Sequence, residues 1–137
     1  MTQAKLSGGC LCDAVQYEIE GEAERFYHCH CSRCRRLTGS GQASNLLVKP
    51  ADCLRWTQGE SLLKRYKLPD AEHFYSLFCS QCGSPMPRVV KILDAVLVPA
   101  GTLHQEPPIQ PAARIFWASR AQWSCQDENL PTFAEYP

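Results

Sequence analysis

The feature that most restricts this chain is the spacing of its cysteines. Nine occur in 137 residues, and seven fall into Cys10-x-Cys12, Cys29-x-Cys31-x-x-Cys34 and Cys79-x-x-Cys82. An odd number cannot pair fully into disulfides, and thiols this dense and this closely spaced read as metal ligands. The segment Met1-Thr2-Gln3-Ala4-Lys5-Leu6-Ser7-Gly8 has no apolar h-region, so no signal peptide is expected. No stretch of the sequence approaches the roughly 18–20 apolar residues that span a bilayer. The expected setting is cytoplasmic and reducing, with no membrane partner.

Each cysteine group has its own geometry. In an extended chain, residues i and i+2 project from one face, so Cys10 and Cys12 can converge on a single ion. The run Cys79-Ser80-Gln81-Cys82-Gly83 makes a tight turn in which Gly83 accepts the unusual dihedrals. The two pairs together supply four thiolates at about 2.3 Å, the closed tetrahedral set of a structural zinc. Such an ion ties the N-terminal edge to the middle of the chain and is part of folding stability itself.

The second group lies in His28-Cys29-His30-Cys31-Ser32-Arg33-Cys34-Arg35-Arg36-Leu37-Thr38-Gly39. If residues 27–31 are extended, Cys29 and Cys31 share a face while His28 and His30 take the other. Cys34, one turn on, can swing to the same point. Three sulfurs leave a fourth position open for water or substrate, the signature of a catalytic zinc. A four-ligand site completed by His28 or His30 is the alternative. Arg33, Arg35 and Arg36 can offset thiolate charge and attract an anionic ligand, or they are solvated surface. Cys53 and Cys125 have no spaced partner and read as core residues.

Between the cysteines the pattern is that of strands. Val15, Tyr17 and Ile19 alternate, as do Phe74, Ser76 and Phe78, and Leu46-Leu47-Val48 runs up to Pro50. Leu54–Thr57 and Leu62–Tyr66, joined by Gln58–Ser61, read as a hairpin. Ala95–Val98 and Ile115–Trp117 look like buried strands, and Ser32–Leu37 and Ala118–Trp123 like short helices. The expected fold is mainly β: antiparallel sheets with short helices, in a single domain over residues 1–137. Lys plus Arg number 14 and Asp plus Glu number 14, so the basic excess that phosphate contacts demand of a nucleic-acid binder is missing.

The order C-x-C, H-C-H-C-S-R-C-R-R-L-T-G, C-S-Q-C-G-S-P resembles the glutathione-dependent formaldehyde-activating enzyme (GFA) family, which includes centromere protein V. The likeness runs from Gly8-Gly9-Cys10 to Leu130-Pro131-Thr132-Phe133. It implies a zinc-bound β-tent fold with two Zn2+ per chain. By position, the structural zinc maps to Cys10, Cys12, Cys79 and Cys82, and the catalytic zinc to Cys29, Cys31 and Cys34. The implied activity is that of a carbon–sulfur lyase on glutathione–aldehyde adducts such as S-hydroxymethylglutathione, or on a related small thiol. Arg35 and Arg36 are then candidates for the carboxylates of glutathione. The competing reading is a non-catalytic zinc-binding module that uses the three-cysteine, arginine-rich segment to hold a partner or ligand. Zero net charge and the absence of aromatic residues among those arginines speak against nucleic acid as that partner.

Overall fold

One strand organises the molecule. The computed structural model describes residues 2–124 and 129–137, and its strands in chain order are β1 (Thr2–Gly9), β2 (Gln16–Cys29), β3 (Ala43–Lys49), β4 (Leu54–Gln58), β5 (Leu63–Lys67), β6 (Tyr75–Cys79), β7 (Arg88–Val90), β8 (Ala95–Pro99) and β9 (Ala113–Ile115). The single α-helix among the described residues, α1, spans Ser32–Thr38. Strand β2 pairs antiparallel with β1 along residues 16–23 and parallel with β9 along 27–29. Its other edge takes β4 along 16–19 and β3 along 22–29. From β3 the sheet continues through β8 to β7, while β5 and β6 make a separate two-stranded sheet.

The two ends of β2 present different faces to the core. Side chains alternate across a strand, so a one-residue insertion reverses which set faces inward. A register shift against β3 falls between Ala23 and Arg25. Before it the buried residues are Tyr17, Ile19 and Ala23; after it the buried core residue is Phe26. Leu46 and Val48 on β3 pair with Val98 and Val96 on β8, and all four are fully buried in the same core. Each such aliphatic side chain contributes on the order of 1.5–3 kcal/mol through burial. The opposite face carries Arg25, Tyr27 and Cys29 from β2, with Leu47 and Leu97 beside them in register. The core also takes in Cys10, Val15, Cys79 and Met86, which join the small sheet to the large one.

The antiparallel mainly β architecture follows the expectation from sequence, and so does α1. Cys31 is the N-cap residue of α1, with its sulfur accepting from the Cys34 amide at 3.3 Å. Gly39 closes the other end at φ 67°, its amide donating to the Arg35 carbonyl at 2.8 Å; glycine reaches that left-handed conformation without a Cβ clash.

Three local expectations need correction. Leu54–Thr57 and Leu62–Tyr66 are strands, but not a hairpin: β4 pairs with β2 and β5 with β6. Gly59 at φ 75° and the 3-10 turn Glu60–Leu62 carry the chain from one sheet to the other. Of Ile115–Trp117 only Ile115 is strand, because Phe116 takes φ 54° and ends the pairing; Phe116 and Trp117 are both exposed. Ala118–Trp123 holds no α-helix, only the end of a 3-10 turn, Trp117–Ser119, and the start of a turn closed by the Ser124 amide on the Ala121 carbonyl at 3.0 Å.

Gly59 and Gly39 share a positive φ but not their surroundings. A Cβ at Gly59 would sit 2.1 Å from the Ala14 carbonyl oxygen, whereas at Gly39 it meets nothing within 4 Å. Gly39→Ala is therefore expected to cost about 1–2 kcal/mol of backbone strain alone, and Gly59→Ala clearly more. Urea unfolding of both variants at the same metal content measures the difference; equal losses would contradict it.

Candidate metal centres

The first thiol set is built from two turns facing each other. The Cys10 amide donates to the Val15 carbonyl at 3.1 Å, and the Gly83 amide donates to the Cys79 carbonyl at 2.8 Å. The Leu11 amide reaches the Ser84 hydroxyl at 2.9 Å and joins the two turns. The sulfurs of Cys10, Cys12, Cys79 and Cys82 all lie within 4.8 Å of one another. Cys10 and Cys12 are 3.6 Å apart and Cys12 and Cys79 3.9 Å. Four sulfurs placed tetrahedrally at about 2.3 Å from one ion stand about 3.8 Å from each other, so the cage has the size of a thiolate-bound metal.

Backbone amides support the sulfurs: Val15 N–H donates to Cys10 at 3.3 Å and Gln81 N–H to Cys79 at 3.4 Å. The hydroxyl and amide of Ser84 pull the Cys82 thiol down to about 5. An all-sulfur donor set with no carboxylate selects a thiophilic ion.

The second set lies where β2 hands over to α1. Cys29 ends the strand, Cys31 is the N-cap residue, and Cys34 occupies the first helical turn; their three sulfurs also lie within 4.8 Å of one another. Cys29 and Cys34 are buried, together with Ala43 and against Ile115. Hydrogen bonding from the Cys34 thiol, helped by the Cys31 amide and thiol, lowers Cys29 to about 6. The same bond to Cys29, with burial, pushes Cys34 far above the usual thiol range. Of these two thiols, Cys34 is the one that favours its protonated form.

No imidazole or carboxylate among the described residues joins this trio. His28 lies on the core side of β2, its Nδ1 3.0 Å from the Ser44 hydroxyl, and burial followed by the Arg114 charge keeps it below the usual histidine range. His30 is fully buried against Trp117, with ring centroids 5.0 Å apart, and neither ring nitrogen has a hydrogen-bond partner among the described residues.

A cleft of about 820 Å³ opens over the trio. Its floor is the second face of the large sheet, with Tyr27 and Cys29 on β2, Leu47 on β3 and Leu97 on β8. Arg88 on β7 pairs in register with Leu97 and so faces the same way. The Arg88 guanidinium stands 4.8 Å from the Phe74 ring centroid, and that of Arg33 stands 5.6 Å from it. Among the described residues neither guanidinium is ion-paired. Burial lowers the Arg88 pKa, against the pull of the nearby Cys34 and Tyr75.

Arg35 and Arg36 do not line this cleft. Arg35 is half-buried, its Nε without a partner among the described residues, and Arg36 is exposed. Arg88 and Phe74, neither of them a site candidate in the sequence, stand where Arg35 and Arg36 were expected. Cys53 packs against the core, where burial raises it to about 11. Cys125 lies outside the described residues.

Because Cys34 keeps its proton in the metal-free protein, metal binding at the trio releases it, and affinity rises with pH. Cys29 is already ionised above about pH 6, so it adds a further displaced proton only below that value. The slope of log affinity against pH is therefore expected to steepen by about one unit on going below pH 6. Competition with a chromophoric chelator between pH 5 and 8 measures it, and a constant slope through pH 6 would contradict the assignment.

Comparisons with known proteins agree with this geometry. A crystal structure of a Rhodobacter sphaeroides protein superposes with a TM-score of 0.60 at 24% identity, over 79% of this chain and 98% of that one. At that identity the likeness concerns the fold. No curated protein matches the chain. The family described as glutathione-dependent formaldehyde-activating enzyme matches residues 5–119, a stretch that includes all seven clustered cysteines. The chain belongs to the glutathione-dependent formaldehyde-activating enzyme family.

Proposed function

We propose that this protein is a zinc-dependent carbon–sulfur lyase acting on glutathione–aldehyde adducts such as S-hydroxymethylglutathione, with two zinc ions per chain. Cys10, Cys12, Cys79 and Cys82 hold the structural ion. Cys29, Cys31 and Cys34 hold the catalytic one. The observation that carries this reading is the convergence of three sulfurs beneath a cleft that bears two guanidiniums, with neither a fourth donor nor an ion-pair partner for those guanidiniums among the described residues. When bound, a three-thiolate zinc supplies Lewis acidity and lowers the pKa of a thiol at its open position.

The chain's own residues do the rest. Arg88 and Arg33 take the two carboxylates of glutathione by charge-assisted hydrogen bonds, the role first expected of Arg35 and Arg36. Phe74 holds both guanidiniums in place through its ring face. Leu47 and Leu97 give the floor an apolar surface that keeps water from the reacting bond. In the lyase direction the carbon–sulfur bond breaks, the sulfur keeps the electron pair, and the hydroxyl proton leaves as the aldehyde forms. No oxidant or reductant is needed. A cytoplasmic, reducing setting suits a protein whose clustered cysteines must stay free. The competing module reading shares Arg33 of α1 with this one; a cleft lined by all three thiols favours catalysis over it.

Metal analysis is expected to find two zinc ions, with mild chelation removing the one at the trio first and leaving the circular dichroism spectrum intact. Cys31→Ser is expected to retain one ion and lose adduct turnover. Arg88→Ala is expected to raise KM by roughly tenfold or more, the loss of a charged hydrogen bond, with a smaller change in kcat. Turnover by Cys31→Ser at the wild-type rate would end the lyase reading.

A further inference from the structure

The space between the second face of the large sheet, α1 and the small sheet holds two chambers. The outer one is the cleft over the thiol trio. An inner one of about 230 Å³ adjoins it, and Cys34, Asn45, Arg88 and Leu97 line both. Its other walls are largely apolar: Leu37 from α1, Leu77 from β6, Met86 before β7, and Ala100 after β8. The chamber therefore begins at one of the three thiols and at the guanidinium assigned to the anionic end of the substrate.

We propose that the inner chamber receives the carbon chain of an aldehyde, and that this protein acts on thiol adducts of apolar aldehydes larger than formaldehyde. The inference rests on the lyase reading above and names its substrate class. Formaldehyde adds only a CH2OH group to the sulfur and has nothing to place in such a chamber. An apolar cavity of about 150 Å³ is large enough for benzene, so about 230 Å³ takes a straight or branched group on the order of four to six carbons. The adduct then reaches across the residues that the two chambers share. Its charged thiol body lies in the outer cleft against Arg33 and Arg88, its sulfur lies at the trio, and its alkyl group lies inside. The chemistry is unchanged: RS–CH(OH)R′ gives RSH and R′CHO, with the carbon–sulfur bond breaking and the hydroxyl proton passing to the thiol through solvent.

The test has two parts. The first compares kcat/KM for glutathione adducts of formaldehyde, butanal and hexanal. Each buried methylene is expected to raise kcat/KM by roughly threefold to fourfold, with a fall once the chain outgrows the chamber. Gly101 lines the chamber, and a Cβ there meets nothing within 4 Å. Gly101→Leu and Ala100→Phe should each reduce the ratio of hexanal-adduct to formaldehyde-adduct turnover toward one.

The second part needs no turnover. 1-Hexanol is titrated into the zinc-loaded protein while the methyl resonances of Leu77 and Met86 are followed by NMR, with saturable shifts expected that Gly101→Leu abolishes. A series that is flat or best with formaldehyde overturns the proposal and leaves the lyase reading standing. Shifts without turnover of any adduct support the chamber as an apolar binding site and end the lyase reading instead. Absence of both overturns each.

Discussion

Everything at the candidate site depends on one change of parity in β2. A strand of 14 residues without interruption would send Tyr17, Ile19, Ala23, Tyr27 and Cys29 to a single face. The register shift between Ala23 and Arg25 divides it, so the first half feeds the core and the second half turns Tyr27 and Cys29 away from it. One sheet thereby has a packed side and a chemical side, and neither takes residues from the other. The order imposed on β3, β8 and β7 follows by register: Leu47, Leu97 and Arg88 share the chemical face because each stands opposite the last.

The thiol sets were legible before the fold because their geometry is local. Cys10 with Cys12, and Cys79 with Cys82, converge through the dihedrals of three or four residues. Cys31 and Cys34 meet because one is the N-cap residue and the other occupies the following turn. The arginines were not legible in the same way. Arg35 and Arg36 sit beside the cysteines in sequence, whereas Arg88 arrives only through the pairing of β7 with β8 and of β8 with β3. The hairpin misreading has the same origin. Leu54–Thr57 and Leu62–Tyr66 alternate as strands should, but partner choice is settled by distant edges, and β2 and β6 outcompeted the local turn. At Phe116 an apolar run suggested burial, yet a left-handed residue ended the strand one position after Ile115.

The two sulfur sets differ in their surroundings as well as in number. The first is braced by amides and a serine within its own turns and merges with the main core through Cys10 and Cys79. The second has a small cluster of its own, apart from the main core, and opens to a cleft. An ion held by the first set would cross-link the core, whereas an ion held by the second would sit at a surface cleft. Stability and chemistry are therefore separable here, set by set.

The first set also has a consequence for the order of events during synthesis. Its two halves are separated by roughly 70 residues of chain, and a ribosome takes on the order of several seconds to deliver that length. Throughout that interval Cys10 and Cys12 have emerged without Cys79 and Cys82. A two-thiol pair on a nascent chain binds metal weakly and is open to oxidation or to capture by another thiolate ligand. The closing pair arrives only after β2, β3 and β4 have been made. A four-thiolate site at this place could therefore close only late in synthesis, around an N-terminal turn already on the chain.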